Sequence, residues 1–192
     1  IVNHTTGSRV GTTLVNGAVS TQGQATISID GLTGATDTVT AGDVFTIAGV
    51  YAVNPQTRLS TGSLQQFVVT AAQTGASNAL ANMAISPPMY TASNALATID
   101  AFPADNAAVT FVGTASTVYP QNLVYHKNAI TLATADLLLP QGVDMASRQV
   151  HNGISMRIVR QYDINNDRMP CRVDVLYGYS VIRPTMACRI WG

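Results

Sequence analysis

Cys171-Arg172-Val173-Asp174-Val175-Leu176-Tyr177-Gly178-Tyr179-Ser180-Val181 is the stretch whose reading decides the fold class. Cys171, Val173, Val175, Tyr177, Tyr179 and Val181 recur at every second position and so share one face of an extended chain, with Arg172, Asp174 and Ser180 on the other. Just upstream, Gly153 to Ile164 has the same period: Ile154, Met156 and Ile158 fall on one face, Ser155 and Arg157 on the opposite one. Asn165-Asn166-Asp167 between them is turn chemistry. Two alternating strands joined by a short polar loop predict an antiparallel hairpin. Ahead of it, Asn122 to Leu132 is expected to be one long strand.

Toward the N-terminus, short apolar alternations recur between turn signals, an all-β pattern. Ala25, Ile27 and Ile29 alternate before Asp30-Gly31. Val44-Phe45-Thr46-Ile47-Ala48-Gly49-Val50-Tyr51 is continuous enough to predict a largely buried strand, ended by Asn54-Pro55. Gln66 to Thr70, a weaker Leu80 to Ile85 before Pro87-Pro88, and Val109 to Gly113 follow. Strands so spaced predict a small closed or Greek-key barrel. The Ala-rich stretch Ala76 to Met83 admits a short helix as readily as not, because Ser and Asn dilute it and Gly75 precedes it.

Composition agrees. Charged residues are 10% of the 192, against about 25% in an ordinary soluble domain. All ten acids are Asp, and Lys127 is the single lysine. Glu and Lys are the usual filling of exposed helix faces, so this chain is not built from solvent-exposed helices. So little surface charge fits a surface covered by partners, and equally a plain β-domain with a Ser/Thr/Asn surface. Residues 1–116 carry two Arg against five Asp; residues 117–192 carry Lys127 and seven Arg against five Asp. A domain boundary is expected near Ser116–Pro120, giving units 1–116 and 117–192. The chain starts at Ile1, has no signal-like opening and no apolar run long enough for a membrane helix. A soluble chain, processed or cut from a longer one, is expected.

No catalytic, cofactor or metal set emerges. His4, His126 and His151 lack ligand spacing, and His126 reads as structural. Cys171 and Cys188 match neither a zinc knuckle nor a redox pair, and Cys171, on the apolar face, is expected to be a buried free thiol. There is no phosphate-binding Gly loop and no nucleophile elbow. Asp163 and Asp167 read as turn caps rather than an acid/base pair. The one feature with functional weight is the set Arg148, Arg157, Arg160, Arg168, Arg172, Arg183 and Arg189. Alternating on exposed strand faces, these arginines fit ion pairs between subunits better than a nucleic-acid footprint, since no reading helix accompanies them.

Three segments together carry a resemblance: Ala41-Gly42-Asp43-Val44-Phe45-Thr46-Ile47-Ala48-Gly49-Val50, Tyr119-Pro120-Gln121-Asn122-Leu123-Val124-Tyr125-His126-Lys127-Asn128-Ala129 and Asp174-Val175-Leu176-Tyr177-Gly178-Tyr179-Ser180-Val181-Ile182-Arg183-Pro184. In this order and spacing they resemble the major coat proteins of short-tailed phages of the Salmonella-phage type. The resemblance implies a mainly β chain with little helix: an inserted β-barrel domain, from about Gly7 to Thr114, followed by returning strands of the A- and P-domains of the tailed-phage (Hong Kong type) capsid fold, from about Tyr119 to Gly192. The N-terminal arm and spine helix of that fold have no counterpart in the sequence, so a C-terminal fragment is implied.

By the same resemblance the chain is a structural subunit that self-assembles into an icosahedral shell around phage dsDNA. Its implied partners are other coat copies in hexamers and pentamers, a scaffolding protein, the portal, and packaged dsDNA through non-specific contact, with assembly in the host cytoplasm and no membrane or cofactor. Candidate interface segments are the loop around Thr12–Gln24 and the loop Asn54–Ser63, and the candidate interface residues are Arg58, Arg148, Arg157, Arg160, Arg168 and Arg172. The alternative is a non-catalytic tail or adhesin β-domain that binds a surface glycan. Aromatics at only 6%, mostly in strands, speak against it, and Trp191 reads as a docking anchor or a frayed end.

Overall fold

The structure, a computed structural model, describes residues 2–34 and 36–191. Its strands are β1 (Val2–Thr5), β2 (Gly11–Val15), β3 (Gln24–Leu32), β4 (Thr38–Val39), β5 (Val44–Val53), β6 (Ser60–Val69), β7 (Gln73–Thr74), β8 (Leu80–Met89), β9 (Val109–Phe111), β10 (Val118–Tyr125), β11 (Ile130–Ala135), β12 (Met145–His151), β13 (Ile154–Arg160), β14 (Cys171–Val181) and β15 (Ala187–Trp191). The only helical turn among the described residues is a 3-10 turn at Pro184–Met186. The mainly β expectation holds. The chain divides into one unit of residues 1–121 with 191–192 and a second of residues 122–190.

In the first unit β2-β3-β8-β6-β5-β9 form a six-stranded antiparallel sheet. Its outer strands meet through a Leu14–Ala108 bridge and the bond from Val15 N to Ala107 O at 2.9 Å, so the sheet curls into a nearly closed barrel. Inside lie Phe45, Phe67, Ile27, Ile29, Ile47, Leu80 and Met83, all fully buried. Phe45 stacks on Phe67 at 5.6 Å and meets Phe111 at 5.2 Å. β5 shows how the sequence does this. Phe45 and Ile47 point inward, then Ala48 and Gly49 are exposed where the register to β6 shifts, and Val50 and Val53 are buried again. Gly49, at φ 78°, supplies that bulge. The continuous apolar run is therefore a half-buried barrel strand reset by a bulge, not a strand buried on both faces.

Two local expectations are corrected. Ala76 to Met83 holds no helix: Ser77 and Asn78 (φ 52° and 62°) turn the chain tightly between Ala76 and Ala79, and β8 begins at Leu80. Paired positive φ values are the hairpin solution, and local Gly, Ser and Asn favour it over a helix. Asn122 to Leu132 is not one strand. β10 stops at Tyr125, His126 O accepts from Ala129 N at 2.8 Å to close a turn, and β11 starts at Ile130.

In the second unit β11-β14-β13-β12 form a four-stranded antiparallel sheet. The expected hairpin is there: β13 pairs with β14, Met156 opposite Val175 and Ile158 opposite Val173. In its loop Asp163 caps the turn, accepting from Asn165 N at 3.0 Å and Asn166 Nδ2 at 2.7 Å. Those bonds, from Asn166 first, hold its carboxyl below the usual range. Cys171 is a free thiol but exposed, contrary to expectation. Its neighbours on that face, Val173, Tyr177 and Tyr179, are more than 60% exposed, so the apolar face has no layer over it among the described residues.

Candidate assembly surface

The β5–β6 hairpin carries Arg58 away from the core. Residues 54–64 are exposed throughout. The tip is nonetheless built: Asn54 Oδ1 accepts from Gln56 N at 2.9 Å and Thr57 N at 3.3 Å, and Asn54 O accepts from Arg58 N at 2.8 Å. An Asn that caps its own turn fixes the backbone without a core. Arg58 sits at φ 57°, beside Leu59 at 70% exposure, and makes no ion pair among the described residues. The other candidate loop differs. Thr12 to Val15 belong to β2, Gly17 N donates to Asp105 at 2.8 Å, and Gln22 grips Thr91 through both ends of its amide. That segment is tied to its own barrel.

Four of the remaining arginines find carboxylates in their own chain. Arg157 on β13 lies opposite Asp174 on β14 and donates to it through Nη2 at 2.5 Å and Nε at 3.2 Å. Arg172 adds a second pair to the same carboxylate at 2.8 Å. The Arg157 guanidinium, helped by Arg172, holds the Asp174 carboxyl below the usual range. Arg160 pairs with Asp144 at 2.8 Å and Arg148 with Asp136 at 3.4 Å. Arg148 and Arg157 also donate to the Leu137 and Leu138 carbonyls, covering this side of the sheet. Arg168, in the β13–β14 loop, is exposed and makes no ion pair among the described residues.

The opposite face of the sheet is different in kind. Register places Leu132 beside Tyr179 and Met156 beside Val175, giving a contiguous surface of exposed apolar side chains with Arg160 at its end. Contiguous exposed apolar faces mark interaction sites rather than solvent-facing walls. The alternation in the sequence identified this face but not its lack of cover. Sequence reasoning also missed Asp43, which entered only as one residue of the segment Ala41–Val50. It is 1% exposed, hydrogen-bonded to His4 at 2.9 Å and ion-paired to Arg9. Among the described residues no three His, Cys or Asp side chains converge to hold a metal ion.

The family model described as "P22 coat protein - gene protein 5" matches residues 2–192. No curated protein matches the chain. Among solved structures, the CUS-3 coat protein I-domain is 27% identical over 54% of this chain and 96% of its own, at a TM-score of 0.39. The assignment rests on the family match, which does not favour the adhesin reading. Matched from β1 through β15, the chain belongs to the P22 coat protein family: it is a structural, non-catalytic subunit that assembles with its own copies into the capsid of a virion.

Proposed function

We propose that the chain supplies two parts of a Hong Kong-type shell subunit: an inserted barrel, residues 1–116, and returning A-/P-domain strands, residues 117–192. The barrel's β5–β6 tip, with Arg58, makes contacts between subunits in hexamers and pentamers. The observation that carries this reading is the tip itself: exposed over its whole length, fixed by its own Asn54 turn, and bearing a cation with no carboxylate among the described residues. A preformed tip loses little conformational freedom on docking. The uncovered apolar face supports the second part, because a sheet of one layer needs another against it. Arg148, Arg157, Arg160 and Arg172 then act at interfaces through the rims of pairs already made, and Arg168 as an uncommitted charge.

The reading extends to a scaffolding protein and portal as assembly partners, to non-specific contact with packaged dsDNA, and to assembly in the host cytoplasm. Arg58→Ala in the full-length coat protein is expected to lower particle yield while the circular-dichroism spectrum and melting temperature stay unchanged. Particles equal to wild type in yield and size by electron microscopy would overturn the role given to the tip.

A further inference from the structure

β1 pairs with β10 antiparallel, His4 opposite Tyr119, at the edge of a three-stranded sheet of order β1-β10-β15, and this β1–β10 ribbon contributes nothing to the barrel's apolar core. Val2 and Val118 on it are 75% and 54% exposed. What fastens this ribbon to the barrel is polar. Asp43, just before β5, receives His4 Nε2 at 2.9 Å and the Thr40 hydroxyl at 3.2 Å on Oδ1. Its Oδ2 receives Arg9, Gly7 N at 3.2 Å and Thr40 N at 3.0 Å. Three of these five donors, His4, Gly7 and Arg9, come from the segment running out of β1. Arg9 also lies over the Phe111 ring at 4.0 Å. Trp191 closes the set from outside, 5.7 Å from the His4 ring and 5.2 Å from Tyr119, whose hydroxyl accepts from Thr114 N at 2.8 Å.

We infer that Asp43 is a latch: its charge fastens the β1–β10 ribbon and Trp191 to a barrel that is packed without them, so that neutralising this one carboxylate frees the ribbon and leaves the barrel folded. The physical case is the separation of forces. The barrel is held by apolar burial, which one carboxylate does not touch. The ribbon is held by a neutral bond from the Thr40 hydroxyl to Thr5 O at 2.8 Å and by the bonds to Asp43, which are charge-assisted in a site closed to water, where each is stronger than a neutral bond. The charged and titratable groups around the carboxylate are His4 from β1, Arg9 from the link to β2 and, behind Trp191, Tyr119 from β10. Removing the charge leaves Arg9 and His4 competing for solvent, which pulls the ribbon away.

The test is Asp43→Asn in the full chain, read by segment-resolved hydrogen exchange and by the emission of Trp191, the single tryptophan. Amides of residues 2–9 and 118–121 are expected to exchange about tenfold faster or more, the loss of one charge-assisted bond, and the emission to shift to the red. Amides of β3 and β6 are expected to keep their protection. Phe67→Ala is the contrast, accelerating barrel and ribbon together. Should Asp43→Asn fail to fold, Arg9→Met and His4→Gln, each removing one partner, must still separate ribbon from barrel. Equal acceleration of both regions, or no change in either, overturns the latch.

Discussion

The barrel and the four-stranded sheet are written in the same alternating code and end in opposite states. Every buried hydrophobic side chain of the described residues except Ala129 lies in the first unit, between Val15 and Val109. In the second, Val173, Tyr177 and Tyr179 alternate as regularly as Ile27 and Ile29 do, yet stay exposed. Period two states which side chains share a face. Whether that face is dry depends on a second layer, which the barrel provides by curling on itself and a four-stranded sheet cannot provide alone.

The largest effect that sharpens this contrast is in the core. Phe45→Ala or Phe67→Ala should destabilise the barrel by about 3–5 kcal/mol, measured by urea unfolding. Tyr179→Ala on the bare face should stay within about 0.5 kcal/mol in the same chain. A comparable loss at Tyr179 would break the contrast, since it would mean the face is covered.

Acid provides the next test. Burial alone would push the Asp43 carboxyl up, but the Thr40 amide, His4, Arg9 and the Gly7 amide outweigh it and hold it below its ordinary value of 3.8. A lowered folded-state value gives stability that is complete above the unfolded-state value and lost as pH falls through the folded one. Wild type should therefore lose stability from this site as pH falls below about 4, and Asp43→Asn should show a flatter melting-temperature profile over that range. Asp174 in the second unit is also held low, but it is solvent-reached, and its removal should scarcely change the profile.

Smaller still is Gly153→Ala at the β12–β13 turn. Gly153 has φ 78° and open space where a Cβ would go, so the cost is backbone strain alone, about 1 kcal/mol. Thermal unfolding of the second unit should register it while barrel amides stay protected. Arg172→Ala is expected to have the least effect. Its side chain is 72% exposed and Asp174 keeps Arg157, so no change in melting should be detectable.

Much of this was legible in the residues. The β14 stripe, the β13–β14 hairpin with its Asp163 cap, and the strands at 44–51 and 66–70 follow from period and turn chemistry. The break at His126–Ala129 was not, because Leu123 to Leu132 carries no Gly or Pro to mark it. The turn at Ser77–Asn78 hid in an Ala-rich stretch for a similar reason. The arginines were legible as a set, but Asp136, Asp144 and Asp174 reach them only through strand register and loop placement. Asp43 was opaque because an Asp after Gly is ordinary turn chemistry, and its partners Arg9 and His4 lie 34 and 39 residues away.

The ring contact between His4 and Trp191 joins nearly the first described residue to the last. During synthesis the barrel strands, all made by residue 111, leave the ribosome long before Trp191 does. The barrel therefore has time to fold first, and the ribbon acquires its aromatic lid only after 80 further residues have been made. For that interval the nascent chain carries a finished barrel on an unsealed stem.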